Sequence, residues 1–184
     1  MILVVAATEF EAALVDGAPV RAVVSGIGPV EAALATARAI SEERPTAILQ
    51  IGIAGAQTLP HASLALGSEA VYCDVLDPTA SLPRIERVAP DALLLAAARR
   101  ALPHAHVLPI GTTGRVGGGS ACEVEAMEGF GVLRAAALAG VPALELRAIS
   151  NPVAEADRSR WRVDDALDAL RRALPPLFEE LAHA

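Results

Sequence analysis

The chain has 184 residues, 53% of them apolar, 20% charged and only 3% aromatic, with a formal net charge of −7 at pH 7. That length suits one domain with a sizeable core, and that hydrophobicity excludes a disordered chain. The negative balance excludes a nucleic-acid surface: the only basic cluster, Arg158, Arg160 and Arg162, alternates with other residues beside Asp164 and Asp165.

Residues 2–7 form a short apolar run that reads as a buried strand. Glu9 and Glu11 follow at once, so the run is not a signal peptide. A second strand is expected over 21–25, ending in the turn Ser25-Gly26-Ile27-Gly28. Apolar residues at helical spacing then predict a helix over 30–40. A third strand, 47–53, closes on Gly52-Ile53-Ala54-Gly55, and 70–73 continues the sheet. A helix over 90–102 precedes a strand over 106–110 and the turn Gly111-Thr112-Thr113-Gly114. Residues 117–120, three glycines and a serine, read as a mobile loop. A helix over 125–139, a strand over 143–149 and a helix over 161–174 complete the pattern. The last helix runs on towards Leu181, with Pro175 and Pro176 breaking or kinking it.

Alternating strands and helices predict an α/β layered fold with a largely parallel or mixed sheet. No linker or repeat divides the chain, so residues 1–184 are expected to form a single domain. Charge, Gly or Pro interrupts every stretch near twenty residues, which leaves no transmembrane span. Cys73 and Cys122 are read as two buried thiols of a reducing compartment. His61, His104, His106 and His183 share no ligand spacing. The expectation is a soluble, cytoplasmic protein without metal or cofactor, acting on no nucleic acid and no membrane.

In open α/β sheets, ligands bind beyond the carboxyl ends of the strands. By that rule Glu9 and Glu11, the turn at Gly26 and Gly28, the turn at 52–55, and Ser150 with Asn151 are the candidate site groups.

Three segments together resemble a known family. Val124-Glu125-Ala126-Met127-Glu128-Gly129 is similar to the Val-Glu-x-Met-Glu-Gly segment of nucleoside phosphorylases and of methylthioadenosine/adenosylhomocysteine nucleosidases. Val141-Pro142-Ala143, leading to Arg147-Ala148-Ile149-Ser150-Asn151, resembles their last strand and base-binding turn. The glycine turns at 25–28 and 52–55 match in order and spacing. Within this superfamily, Asn151 in place of Asp, followed by Asp157-Arg158-Ser159-Arg160-Trp161, resembles the futalosine hydrolases. The resemblance implies a three-layer α/β/α fold around a mixed, twisted sheet. It also implies a homodimer or higher homo-oligomer, and hydrolysis of futalosine to hypoxanthine in a menaquinone-forming route.

The resemblance gives the residues roles. Glu11 would activate water. Glu128, an acceptor-only carboxylate, would take both ribose hydroxyls. Asn151 would donate to purine N7 or O6; unlike Asp it cannot deliver a proton, which favours a 6-oxo purine. Ile53, Gly55, Met127, Ser150 and Arg147 join them as substrate-binding residues, Arg147 as an ion-pair partner for Glu11. Plainer roles stay open beside these. Glu9 and Glu11 suit the first turn of a helix, Glu125 suits a solvated or capping position, Met127 suits a core, and Asn151-Pro152 suits a turn. No base-stacking aromatic falls at a motif position; Phe130, Trp161 and Tyr72 are the candidates. No Arg or Lys lies between Arg21 and Arg38, Pro29 removes one N–H from the first glycine turn, and Glu31 lies close by, so water is favoured over phosphate. Arg84, Arg87 and Arg115 are the cations that would have to fold over the site for phosphorolysis. An adenine-releasing nucleosidase, a purine nucleoside phosphorylase and a non-catalytic nucleoside binder remain the alternatives.

Overall fold

The computed structural model describes residues 1–183 other than 76, 78, 80 and 82. Eight strands make one mixed sheet: β1 (Ile2–Ala6), β2 (Arg21–Val24), β3 (Ala47–Ala56), β4 (Leu64–Tyr72), β5 (Arg87–Val88), β6 (His106–Thr112), β7 (Val124–Ala126) and β8 (Ala143–Pro152). β1 lies parallel between β2 and β3, and β3 pairs in parallel with β8. β8 meets β4 antiparallel, β4 runs parallel to β6 and β6 to β7, and β7 returns antiparallel to β3. The pairing therefore closes into a ring, β3–β8–β4–β6–β7, with β1 and β2 extending from β3, and β5 from β4.

Helices cover both faces. α1 (Glu9–Ala12) is a single turn after β1. α2 (Pro29–Glu43) and α4 (Gly129–Ala139) pack together on one side, over Leu3, Val5 and Ile48. α3 (Ala92–Ala101) and α5 (Val163–Leu181) pack on the other, over Leu49, Ile51, Leu144 and Leu146. Alternation along the strands sorts the residues: in β3 the even positions face α2 and α4, the odd ones α3 and α5. The architecture is thus the expected three-layer α/β/α arrangement. No helix among the described residues is long and apolar enough to cross a membrane.

Local chemistry explains most boundaries. Pro29 opens α2 at its first position, where a missing N–H costs nothing, after Gly28 at φ +103°. Asp91 caps α3 by accepting from the amides of Leu93 and Leu94.

Several expectations need correction. β4 begins at Leu64, well before 70–73, because its first residues pair with β8, Ala65–Tyr72 pair with β6, and Ala70 and Val71 pair with β5. Residues 124–126 are a short strand rather than helix, and α4 starts only at Gly129. α5 runs on to Leu181 as expected, but Pro175 and Pro176 do not break it. The carbonyls that these prolines leave without donors belong to Arg171 and Arg172, which are exposed, while Leu174, Leu177 and Leu181 stay buried and hold the helix down. Cys73 and Cys122 are free thiols at intermediate burial, one just after β4 and the other just before β7.

Candidate functional site

The carboxyl ends of β1, β3 and β8, with the loop from β7 into α4, surround a cavity of about 520 Å³. Glu11, Ile53, Gly55, Met127, Glu128, Arg147, Ser150 and Asn151 all line it. Residues scattered over most of the chain therefore meet at one hollow.

Glu11 reaches it from α1, where it fills a capping box. The Thr8 hydroxyl accepts from the Glu11 amide, and Glu11 Oε2 accepts from Thr8 N at 3.0 Å and Oγ1 at 2.9 Å. Its Oε1 accepts from Ile53 N at 3.0 Å. First-turn residue and cavity carboxylate are thus one and the same group. Glu9, two positions earlier, is exposed and does not line the cavity.

Glu128 occupies the N-cap position of α4 but caps nothing with its side chain. Its carboxylate turns instead to Gly28 N, 3.1 Å from Oε1, and to Arg147 Nη2, 3.1 Å from Oε2. A local rule of helix construction is set aside where a carboxylate is wanted elsewhere. The Gly26–Gly28 turn thereby commits an amide to Glu128, and the Glu31 side chain lies against Gly26.

Asn151 is placed by an irregularity. The β3–β8 register runs Ala54 to Ile149 and then Gly55 to Asn151, so Ser150 is an extra, bulged residue. A bulge re-aims the side chains beside it. Ser150 Oγ is 2.8 Å from Asn151 Oδ1 and 3.2 Å from the Ala54 carbonyl. Asn151 Nδ2 donates to the Pro152 carbonyl at 2.9 Å, which leaves its second N–H for a ligand. Gly55 makes the approach feasible: a Cβ there would stand 3.2 Å from Asn151 Nδ2 and 3.2 Å from Val153 Cγ2.

The ion pair expected between Arg147 and Glu11 is not formed. Arg147 bonds Glu128, and through Nε it bonds Glu145 Oε1 at 2.9 Å, while Glu11 is satisfied by Thr8 and Ile53. Burial alone would lower the guanidinium pKa, but the charges of Glu145 and Glu128 outweigh it and hold it above the ordinary Arg value. Burial pushes the Glu145 carboxyl up, and Arg147 pulls it back only in part.

Glu125 is neither solvated nor a cap. It is a buried β7 residue whose carboxylate accepts from the amides of Gly118, Gly119 and Ser120. Those bonds tether the glycine-rich loop expected to be mobile, and its neighbours Arg115, Val116 and Gly117 form part of the cavity wall. Of the candidate aromatics, Tyr72 and Phe130 stack on each other, rings 5.0 Å apart, and do not line this cavity. Trp161 lines it, fixed by an Nε1 bond of 3.1 Å to the Glu155 carbonyl, with the Arg158 guanidinium 5.6 Å from the ring centre. Phe10 and Ile27, mostly exposed, complete the rim. Ile27 stands in the first glycine turn, but nothing in the motifs singles out Phe10 or Glu145; the signal for Glu145 is its place two residues from Arg147 in an apolar strand, which puts both charges on one face.

The sequence model of the phosphorylase superfamily matches residues 4–182. A segment of the chain is 60% identical over 58 residues to futalosine hydrolase of Streptomyces coelicolor, and another comparison gives 46% over 57 residues to that of Thermus thermophilus. These alignments span 30% and 31% of the chain and a quarter of each relative. Among solved structures, the fold matches a methylthioadenosine/adenosylhomocysteine nucleosidase of Colwellia psychrerythraea in complex with adenine, TM-score 0.88, 22% identity, over 98% of this chain and 95% of that one. It matches futalosine hydrolase of Helicobacter pylori equally well, TM-score 0.88, 18% identity, over 97% of each chain.

Proposed function

The chain belongs to the phosphorylase superfamily, and we propose that it is a purine nucleosidase that hydrolyses the N-glycosidic bond of futalosine and releases hypoxanthine, a step of a menaquinone-forming route. The observation that carries this reading is the meeting of Glu11, Glu128 and Asn151 around one cavity.

Cleavage of an N-glycosidic bond passes through an oxocarbenium-like sugar, so the site must hold the sugar, offer a nucleophile and receive the charge of the departing base. Glu11 Oε2 serves two donors of Thr8, whereas Oε1 serves only Ile53 N and keeps a lone pair that can accept a proton from water as the sugar becomes electrophilic. Glu128 presents a desolvated carboxylate to the ribose diol, held by Gly28 and Arg147. Met127 and Ile53 pack on the sugar, and Asn151 donates to the leaving purine. Water is favoured over phosphate because the first glycine turn gives an amide to Glu128 and carries Glu31 against it. Of the three arginines that phosphorolysis would need to fold over the site, Arg84 pairs with Glu86 and Arg87 with Glu69, and Arg115 is the one of the three that lines the cavity.

Two features support futalosine over a smaller nucleoside. The cavity continues past the site to Trp161, and Arg115 and Arg158 at its rim have no carboxylate partner among the described residues. Their neighbours are neutralised, Arg160 by Glu155 and Arg162 by Asp165. Asp164 also lines the cavity, so the rim keeps a net positive charge of one from these three groups. That suits the benzoate-bearing arm of futalosine. Arg158→Ala is expected to raise KM for futalosine roughly five- to tenfold and leave inosine unaffected. Equal KM changes for both substrates would remove Arg158 from this role. Homo-oligomerisation belongs to the same reading: the exposed Phe10 and Ile27 at the rim continue into Val30 and Leu34, one turn apart on α2, a surface suited to a second copy.

Incubating the purified chain with futalosine, inosine and methylthioadenosine tests the substrate assignment. Hypoxanthine from futalosine, at a kcat/KM above that for adenine release, is the expected result; adenine release alone refutes it. Asn151→Asp is expected to shift the preference towards 6-amino purine nucleosides by about tenfold or more, because a carboxyl group can pass a proton to N7 and accept from the amino group. An unchanged ratio would show that Asn151 does not read the base.

A further inference from the structure

We propose that Glu145, which no motif marks, is a positioning residue that aims Arg147 and, through it, the ribose-binding carboxylate of Glu128; this rests on the nucleoside-binding reading above. Glu145 is fully buried and does not line the cavity, so it acts on a ligand only through its neighbours.

Glu145 and Arg147 sit two residues apart on β8 and face the side of the sheet covered by α2 and α4. Three bonds determine the plane of the guanidinium. Nε donates to Glu145 Oε1 at 2.9 Å, Nη2 to Glu128 Oε2 at 3.1 Å, and Nη1 to the Ile53 carbonyl at 3.3 Å. Without the first bond the planar guanidinium could swing about its Cδ–Nε bond, and the donor presented to Glu128 would be held less firmly.

Two glycines make room for this arrangement. At Gly129, the residue immediately after Glu128, any Cβ would collide with both carboxyl oxygens of Glu145. At Gly52 a Cβ would collide with Arg147 Nη1 and crowd Glu11 Oε1. The carboxyl also carries a cost. Glu145 Oε2 and the Oε1 of Gln50, its register partner on β3, are buried without a donor among the described residues. An aliphatic residue would fill this place without that cost. What the carboxyl adds is the acceptor at Arg147 Nε.

The test measures binding of 9-deazainosine and its 2′-deoxy analogue, C-nucleosides with no N-glycosidic bond, by calorimetry. Wild type is expected to favour the ribo form by about tenfold or more, as loss of a bond to a charged group implies. Glu145→Met should narrow that preference to within about twofold, while binding of free hypoxanthine, which does not touch Glu128, stays unchanged. Glu145→Gln keeps an acceptor for Nε and should restore the preference. A merely structural role would weaken all three ligands alike. A folded Glu145→Met with intact ribo preference overturns the proposal, and so does a Glu145→Gln that loses it, which keeps the test decisive even where the Met variant fails to fold. Neither analogue binding to wild type would overturn it too. Ribo-selective binding without any hydrolysis, by contrast, would sink the hydrolase reading and leave the role of Glu145 standing.

Discussion

Glu11→Gln is expected to lower kcat for purine release by about 10²–10⁴-fold, the range for loss of a positioned general base. The substitution keeps the size of the side chain and removes its charge. A glutamine at the third helical position still completes the capping box with Thr8 through its one carbonyl oxygen, and gives up the bond from Ile53 N, which then faces the amide NH2. What disappears is the basic carboxylate that takes a proton from water. Steady-state kinetics alongside a binding measurement for hypoxanthine checks this. A kcat within a few-fold of wild type, or an equal loss of hypoxanthine binding, would remove Glu11 from the role of base.

Arg147→Met is expected to cost about 3–5 kcal/mol of stability at pH 7, because it leaves Glu128 and Glu145 buried without their common counter-charge. The loss should shrink in acid. Burial already holds the Glu145 carboxyl above its unfolded pKa, and loss of the cation that pulls it back raises it further, so protonation relieves the variant. Stability is then present below the unfolded pKa of about 4.3 and lost as pH rises through the raised folded value. Urea unfolding of wild type and variant at pH 7 and near pH 4.5 reads this directly. A loss under about 1 kcal/mol at pH 7, or one that grows on acidification, contradicts the geometry of the pair.

Much of the layered order was legible because hydrophobic periodicity is a local signal. β1, β2, β6 and α2 follow from apolar runs and helical spacing close to their observed bounds. The closure of the sheet through β7 and the early half of β4 was not legible, since it depends on which distant strands meet. Val124–Ala126 is too short to show a period, and the helix-like stretch after it masks it. The reach of α5 to Leu181 was legible from its apolar spacing, while the break expected at Pro175 and Pro176 does not occur: the carbonyls they leave without donors belong to the exposed residues Arg171 and Arg172.

The candidate site divides in the same way. Glu11 and Asn151 sit at strand ends, where a general rule about α/β sheets and a family resemblance both point; Glu128 was marked by the resemblance alone. Their convergence is a property of the coordinates. The partnership of Arg147 with Glu145 and Glu128, in place of Glu11, turns on which face each β8 residue presents, and the bulge at Ser150 changes that count at the point that matters. Of the rim residues, Trp161 was legible as one of three candidate aromatics and Ile27 as part of a glycine turn, whereas Phe10 reads as an ordinary apolar residue until the cavity shows what it borders.

The most direct measurement follows futalosine through the purified chain with and without phosphate, and identifies the sugar product by mass. Water activated at Glu11 predicts hypoxanthine and a free reducing sugar at the same rate in both buffers. A sugar 1-phosphate, or release of the base only when phosphate is present, would contradict it.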